Sequence, residues 1–166
     1  MNKKAVILIG HGGVPSDYPS DKISRLRMLE AQRNRNGASI SQEERSLDQE
    51  IRAWPRTPEN DPFCFGVQAI AEKLAQKLED RTLRIAYNEF CGPSIEEAVR
   101  MLVSEGYRDI QLLTTMFTPG GVHSAFEIPE IVKNLQEQYP DVQICYPWPF
   151  DLDRVADFLA EHVLKP

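Results

Sequence analysis

The sequence predicts an α/β domain in which a parallel four-stranded sheet is flanked by helices. Short apolar runs of strand length alternate along the chain with segments in which apolar residues recur every three to four positions. This order, a strand and then a helix repeated four times, is typical of a parallel sheet with right-handed crossovers. The chain has 166 residues, an ordinary size for one domain. We therefore predict a single domain over residues 1–166.

The first strand is predicted from the apolar run Ala5–Ile9, which ends in a Gly-His-Gly-Gly loop at residues 10–13. The next 52 residues, 14–65, far exceed the roughly two to six residues that usually join a strand to its helix. They contain a capping-box signal at residues 41–44 and end in a proline-rich stretch, residues 54–62. We interpret residues 14–65 as a long, largely helical insertion over the loop edge of the sheet.

The remaining elements follow in alternation. Apolar residues at helical spacing predict a helix between residues 67 and 78. A capping box of Ser94 and Glu97 predicts the start of the next helix, and Gly106 is expected to end it. The other predicted elements are strands Leu83–Tyr87, Ile110–Phe117 and Val142–Tyr146, a helix that begins near Pro129, and a closing helix Leu152–Leu164.

Composition and charge exclude several classes of function. The net charge of −6 disfavours nonspecific binding to nucleic acid or to an anionic membrane, and no nucleic-acid-binding motif occurs. No apolar run approaches the roughly 20 residues that span a bilayer. The apolar run near the start is too short for a signal peptide. We therefore expect a cytoplasmic protein without nucleic-acid or membrane partners.

The three cysteines do not predict a disulfide framework. Cys64, Cys91 and Cys145 form no C-x-x-C pair, and their number is odd. We expect Cys64 and Cys145 to be small buried apolar residues. Cys91 lies beside a candidate functional segment, so its role stays open.

Candidate functional residues follow the carboxyl ends of three predicted strands, where open parallel sheets bind their ligands. His11 follows the first strand, Glu89 the second and His123 the third. Imidazole binds divalent metals and accepts protons near neutral pH, and a carboxylate beside it completes a coordination set or relays protons. Each residue alone could be an ordinary loop residue, but together they predict a functional site. The third histidine, His162, is expected to be a surface residue.

Several other activities lack their motifs. The Gly-His-Gly-Gly loop is not accompanied by the G-x-S-x-G nucleophile elbow of an esterase. No G-x-G-x-x-G or P-loop sequence follows a strand, and no H-E-x-x-H occurs. An esterase, a nucleotide-binding protein and a zinc protease of that type are therefore disfavoured.

Three segments carry a resemblance to a known family. They are the first strand with Gly10-His11-Gly12, then Tyr87–Ile95, and then Met116–His123 followed by Glu127–Glu130. The sequence resembles the class II tetrapyrrole chelatases, in particular the short sirohydrochlorin chelatases of the CbiX type. The two motifs most specific to this family are Glu-x-x-x-Pro-Ser-Ile and Gly-x-His-x-x-x-x-Ile-Pro. The resemblance covers about two thirds of the chain and implies a chelatase-like fold, in which the chain corresponds to one flavodoxin-like half.

The resemblance implies insertion of Co²⁺ or Fe²⁺, or Ni²⁺ in some relatives, into a tetrapyrrole such as sirohydrochlorin without ATP. It also implies that His11, His123 and Glu89 bind the metal and accept the pyrrole protons. The metal is then a substrate, and no permanently bound cofactor is expected. Imidazoles suit this reaction because they bind borderline metals but release them more readily than thiolates do.

Residues that contact the macrocycle are expected around these three side chains. Glycines would let the ring approach the backbone, apolar side chains would hold its face, and arginines would attract its carboxylates. The predicted substrate-binding residues are Gly12, Gly13, Phe90, Met116, Gly120, Gly121, Arg25 and Arg27, and Phe117 and Phe126 are further candidates for the apolar wall. Arg25 and Arg27 lie in a basic segment, residues 22–35, that could equally be a solvated helix surface.

Two departures from the family pattern leave alternatives open. The short members lack an insertion such as residues 14–65, so the substrate could be a different porphyrin. Long chelatases pair two α/β halves around the cleft, so a chain with one half predicts a homodimer, unless the insertion substitutes for the missing half. The alternative functions are a metal or tetrapyrrole carrier that does not turn over, and a regulatory protein in which the insertion is the functional surface.

Overall fold

The computed structural model describes residues 3–164. The strands are β1 (Lys3–Gly10), β2 (Arg81–Tyr87), β3 (Tyr107–Thr114) and β4 (Gln143–Cys145). The helices are α1 (Ser20–Asn36), α2 (Gln42–Arg52), α3 (Pro62–Ala75), α4 (Ile95–Ser104), α5 (Ile128–Gln138) and α6 (Leu152–Leu164), with a π-helical turn at His123–Glu127. All strand pairs are parallel, and the strand order is β2-β1-β3-β4. The predicted fold class is confirmed.

Helices cover both faces of the sheet. On one face, Ile7 and Ile9 of β1 are completely buried beneath α4 and α5. On the other face, Leu8 packs against Val67 of α3. Successive strand residues point to opposite faces, so a central strand covered on both faces must be continuously apolar. This requirement explains the unbroken apolar run from Ala5 to Ile9.

The insertion folds into helices α1 and α2 and an irregular proline-rich segment, as predicted. Ser41 begins α2, where its hydroxyl accepts a hydrogen bond from the backbone N–H of Glu44. The insertion has a small apolar core of its own, formed by Tyr18, Leu26, Ile51 and Phe90. Phe90 comes from the loop after β2, so the insertion packs directly on a loop at the carboxyl edge of the sheet.

The bounds of all four strands and of α3 differ from the predicted ones by up to five residues, and side-chain hydrogen bonds explain two of these differences. The prediction extended β3 to Phe117, but the strand ends at Thr114, whose hydroxyl accepts a hydrogen bond from the backbone N–H of Met116. Helix α3 begins at Pro62 because the carboxylate of Asp61 caps its first turn. Side-chain hydrogen bonds of this kind end or begin an element without changing the apolar pattern on which the prediction depends.

The cysteine prediction was right for Cys64, which is buried, and wrong for Cys145, which is exposed. Cys145 lies on the edge strand β4, where its neighbour Ile144 fills the core and Cys145 points outward. Cys91 is buried. Within residues 3–164, none of the helices combines the length and hydropathy that a membrane-spanning segment requires.

Candidate functional site

Three side chains converge at the carboxyl edge of the sheet, each from the loop or turn after a different strand. Donor atoms of His11, Glu89 and His123 all lie within 4.8 Å of one another. The two carboxylate oxygens of Glu89 lie 3.9 Å from Nε2 of His11 and 3.8 Å from Nε2 of His123. The imidazole centroids are 4.7 Å apart, with the rings nearly perpendicular. All three side chains are partly exposed, so the cluster opens to solvent.

The backbone holds His11 and Glu89 side by side. The β1–β2 ladder continues beyond both strands, where the N–H of Asn88 donates to the carbonyl of Gly10 at 3.0 Å and that of Glu89 to His11 at 2.8 Å. Gly12 lies against this contact with a φ of +96°, and a Cβ at this position would be 1.8 Å from the carbonyl oxygen of Glu89. A glycine is required here because any side chain would push the two loops apart.

Hydrogen bonds assign the same tautomer to both imidazoles. Nδ1 of His11 lies 2.8 Å from the carbonyl oxygen of Gly12, and Nδ1 of His123 lies 2.7 Å from a carboxylate oxygen of Glu127. Both oxygens can only accept, so Nδ1 is the donor in each contact, and in this tautomer of the neutral imidazole the lone pair lies on Nε2. The two lone pairs face Glu89. Such a set of ligands suits a borderline divalent metal.

Asn88 and Glu127 hold His123 in place. The Asn88 amide nitrogen lies 2.8 Å from Nδ1 of His123 and donates to Glu127 at 3.0 Å. Since Nδ1 already carries a proton for Glu127, the amide hydrogens are directed to the carboxylate. Partial burial favours a raised pKa for Glu127, but the hydrogen bonds from His123 and Asn88 outweigh it and lower the pKa below its ordinary value. Glu127 is therefore ionised at neutral pH, and sequence reasoning missed it although it lies four residues after His123 in the turn that continues into α5.

A cavity of about 700 Å³ adjoins the cluster, between the insertion and α5. Its charged lining residues are Glu30, Glu44, Asp48, Glu89, Glu127 and Glu130 against Arg33, Arg45 and Arg52. Partial burial and then the charges of Glu89, Glu44 and Asp48 raise the pKa of Glu30. The excess of carboxylates makes this cavity favourable for a cation.

A second, smaller cavity of about 290 Å³ lies against His123. Met116, Thr118, Gly121 and Ser124 form the rest of its lining. Gly120 and Gly121 are exposed beside it. Of the predicted substrate-binding residues, Met116, Gly120 and Gly121 therefore lie beside this cavity, and Gly12 lies beside the cluster but is buried against the Glu89 loop.

The structure does not bring Phe90, Arg25 or Arg27 to either cavity. Phe90 is buried in the core of the insertion, and the guanidinium of Arg27 lies over its ring at 5.7 Å from the centroid. Arg25 instead forms a two-point ion pair with Glu43 on the exposed side of the insertion.

The other predicted contact residues also lie away from the two cavities. Gly13 faces Asp61, whose carboxylate would be 3.2 Å from a Cβ at that position. Phe117 lines an apolar groove beside α6, and Phe126 is exposed. Phe117 therefore lies across this groove from α6. Of the arginines that line the larger cavity, Arg33 belongs to the predicted basic segment, residues 22–35, whereas Arg45 and Arg52 were not singled out from the sequence.

A second group of possible metal ligands, Asp61, Cys64 and Cys91, is buried beneath the Glu89 loop. The two sulfur atoms are 4.0 Å apart. Burial, reinforced by the neighbouring Cys64, raises the pKa of Cys91 to about 12. Without a metal the Cys91 thiol is therefore neutral, and Asp61 is already paired with Arg56.

An α/β protein with two imidazoles and a carboxylate together at the carboxyl edge of its parallel sheet has a set of donors that suits a divalent metal. The family model described as CbiX matches residues 63–164, which is more than half of the chain. The chain therefore belongs to the CbiX family, as the sequence resemblance indicated.

Named relatives agree with this family. A sirohydrochlorin cobaltochelatase of Methanosarcina acetivorans is 31% identical over 106 residues, which cover 58% of this chain and 80% of the relative. A sirohydrochlorin ferrochelatase of Priestia megaterium is 27% identical over 99 residues, which cover 58% of this chain. The match spans only 37% of the length of that ferrochelatase.

A solved structure supports the fold. The crystal structure of a CbiX protein from Marinobacter aquaeolei VT8 superposes with a TM-score of 0.54 at 16% sequence identity. The superposition covers 98% of this chain and 99% of the other. At this identity, the likeness concerns the fold alone.

Proposed function

We propose that the protein inserts a divalent metal, Co²⁺ or Fe²⁺, into sirohydrochlorin without ATP. The observation that carries the proposal is the pair of Nε2 lone pairs of His11 and His123, which converge on the carboxylate of Glu89. The names of the two relatives supply the metals and the tetrapyrrole. In this proposal the metal is a substrate, and the protein needs no resident cofactor.

The three side chains first hold the metal. Nε2 of His11, Nε2 of His123 and an oxygen of Glu89 replace part of the water around the incoming ion. Neutral imidazoles and one carboxylate bind a borderline ion firmly, yet without thiolates they let it pass to four ring nitrogens. Glu127 keeps the Nδ1 proton of His123 in place, so the opposite nitrogen faces the metal.

The same groups then take the protons. Two ring N–H bonds break as the metal forms its bonds to those nitrogens, so two protons leave for each metal that enters. As the metal moves to the ring, the Nε2 lone pairs of His11 and His123 become free and can accept these protons. Glu89, between the two imidazoles, offers a path by which a proton reaches solvent. No phosphate transfer is needed because metal binding itself drives proton release.

The macrocycle is proposed to approach along the exposed Gly120–Gly121 loop and Met116. Two features support this side. The glycines leave room for a flat ring close to the backbone, and Met116 offers an apolar contact beside His123. The larger cavity, with its excess of carboxylates, would repel a tetrapyrrole that carries many carboxylates of its own. In this arrangement the larger cavity holds hydrated metal.

We propose a second copy of this chain as the protein partner and α6 as the contact. Five large apolar side chains of α6 are 47% to 78% exposed: Leu152, Phe158, Leu159, Val163 and Leu164. None of the described residues of α6 is buried, and an apolar groove of about 470 Å³ runs between α6 and Phe117. Apolar surface of this extent favours a protein contact. In light scattering, we expect a dimer that Phe158→Glu converts to a monomer, and an unchanged mass for the variant would contradict the assignment.

We also propose, from the sequence, that residues 14–65 are an insertion within one domain and that the protein acts in the cytoplasm. Deletion of residues 14–65 addresses the first part, and localisation of the tagged full chain addresses the second.

Turnover distinguishes a chelatase from a carrier. Purified protein is mixed with sirohydrochlorin and Co²⁺ or Fe²⁺ without ATP, and metal insertion is followed by the change in the visible absorption of the ring. We expect each wild-type protein molecule to turn over many times. We expect His123→Ala and His11→Ala to lose metal insertion while their circular dichroism shows that they remain folded. Stoichiometric binding without rate enhancement would indicate a carrier, and activity only with another porphyrin would change the substrate.

The arginine variant Arg84→Lys is the matched control. Arg84 lies on the edge strand β2, and its exposed side chain pairs with Glu105 just after α4, away from the cluster. We expect it to insert metal at the wild-type rate. Activity that survives in both histidine variants would overturn the assignment of these two ligands.

A further inference from the structure

Two arginines of the insertion bind the loop that carries Glu89. The guanidinium of Arg52 donates to the carbonyl oxygens of Asn88 at 3.1 Å and Cys91 at 3.0 Å. Arg56 donates to the carbonyl oxygen of Phe90, which lies between them. Three of the four carbonyls from residue 88 to residue 91 thus accept a hydrogen bond from the insertion.

Arg56 also joins this loop to the one that carries His11. It donates to the carbonyl oxygen of Gly13 at 2.7 Å and to that of Ile51 at 2.8 Å. Its charge is balanced by Asp61, with an N–O distance of 2.5 Å. The side chains of Arg56 and Asp61 are only 10% and 2% exposed. A single buried guanidinium therefore links the loops after β1 and β2.

The Glu89 loop needs such support because its backbone is unusual. Phe90 has a φ of +55°, in the left-handed region that side chains rarely occupy. The N–H of Cys91 donates to the carbonyl of Glu89 at 2.6 Å, which closes a tight turn around Phe90. A conformation of this kind persists only where its surroundings enforce it.

We propose that Arg56, assisted by Arg52, is a positioning residue that sets the separation of His11 and Glu89. The insertion then supports the metal ligands from beneath, in addition to lining the larger cavity. Lysine cannot replace Arg56 in this role, because one ammonium group lacks the planar set of donors that reaches four carbonyls, including that of Trp54 at 3.3 Å, and a carboxylate at once. The effect on metal binding rests on the proposed function, whereas the bracing of the two loops does not.

The test compares Arg56→Lys and Arg52→Gln with Arg84→Lys in the full chain. Co²⁺ affinity is measured by titration of its visible absorption, and amide hydrogen exchange is measured at residues 88–91 and in β1. We expect Arg56→Lys to weaken Co²⁺ binding at least tenfold and Arg52→Gln about threefold. In Arg56→Lys and Arg52→Gln, amide hydrogen exchange should become faster at residues 88–91 and stay unchanged in β1. Arg84→Lys should match the wild type in both Co²⁺ affinity and amide exchange.

Each outcome decides the proposal. If Arg56→Lys lowers the melting temperature but its folded form binds Co²⁺ with wild-type affinity and spectrum, the arginine is merely structural and the proposal is wrong. If Arg56→Lys does not fold, Arg52→Gln carries the test by the same two measurements. If the wild type itself fails to bind Co²⁺, the proposed function falls; faster exchange at residues 88–91 then still supports the bracing, and unchanged exchange overturns it.

Discussion

Replacement of Glu127 by glutamine tests whether this carboxylate acts on the metal through His123. Glu127 accepts the Nδ1 proton of His123 at 2.7 Å and the amide of Asn88 at 3.0 Å. Glutamine keeps the length of the side chain but removes its charge, so the hydrogen bond weakens and Nε2 becomes a poorer ligand. Mutation of a carboxylate that holds a metal-binding histidine typically weakens metal binding about 10–100-fold, which corresponds to about 1.4–2.7 kcal/mol of binding free energy.

The structure places the expected effect near the lower end of that range. The side chain of Glu127 is 44% exposed, so solvent screens part of its charge. We therefore expect Glu127→Gln to raise the Kd for Co²⁺ about tenfold, measured by calorimetry or by the visible absorption of bound Co²⁺. Glu137→Gln removes the same charge from an exposed position of α5 and should change the Kd by less than about twofold. Wild-type affinity in Glu127→Gln would refute the role of Glu127, and equal weakening in both variants would indicate a general effect of net charge.

Three further predictions concern stability. Gly12→Ala should lower the free energy of unfolding by about 3 kcal/mol or more, because the new Cβ would overlap the carbonyl of Glu89 at a φ of +96°; a wild-type melting temperature would contradict this. Burial and nearby carboxylates raise the pKa of Glu30 in the folded state, so its charge destabilises the fold above that pKa and the penalty vanishes at acid pH. Glu30→Gln should therefore raise the free energy of unfolding by about 0.5 kcal/mol at neutral pH and leave it unchanged below about pH 4. Urea titrations at both pH values measure this effect, and an equal effect of the substitution at the two pH values would refute the assignment. Asp61→Asn leaves Arg56 buried without its counterion and should cost about 3 kcal/mol in the same urea titration, whereas a loss below about 1 kcal/mol would show that the pair contributes little.

The sheet and the positions of the histidines are predictable from the sequence because both depend on local patterns. A continuous apolar run predicts a strand buried on both faces, and polar residues directly after it fall at the carboxyl edge. His11 and His123 satisfy this rule after β1 and β3, although about 110 residues separate them along the chain. Parallel strands that are neighbours in the sheet then bring their ends together.

Long-range contacts account for what the sequence did not predict. From its position beside Glu89, Phe90 was predicted to contact the macrocycle, but its ring packs with Ile51 and Leu26 of the insertion. Arg56 lies in a proline-rich segment without periodicity, and its partners Gly13 and Phe90 are 43 and 34 residues away. Such contacts depend on how the insertion packs on the sheet, which no local pattern specifies.

Glu127 and Cys145 show two other limits of the sequence argument. Glu127 has a readable signal, its spacing of four residues from His123, but carboxylates at this spacing are common on helix surfaces. Cys145 alternates with the buried Ile144 on a strand of only three residues. On so short an edge strand, the sequence does not predict whether an apolar side chain points into the core or toward solvent.

A crystal structure of the protein with bound Zn²⁺ would show directly whether His11, His123 and Glu89 form one metal site. We expect one ion, located by anomalous scattering, at about 2.0–2.1 Å from Nε2 of both His11 and His123 and bound by an oxygen of Glu89. An ion held instead by Asp61, Cys64 and Cys91, or imidazoles that turn Nε2 away from each other, would contradict it.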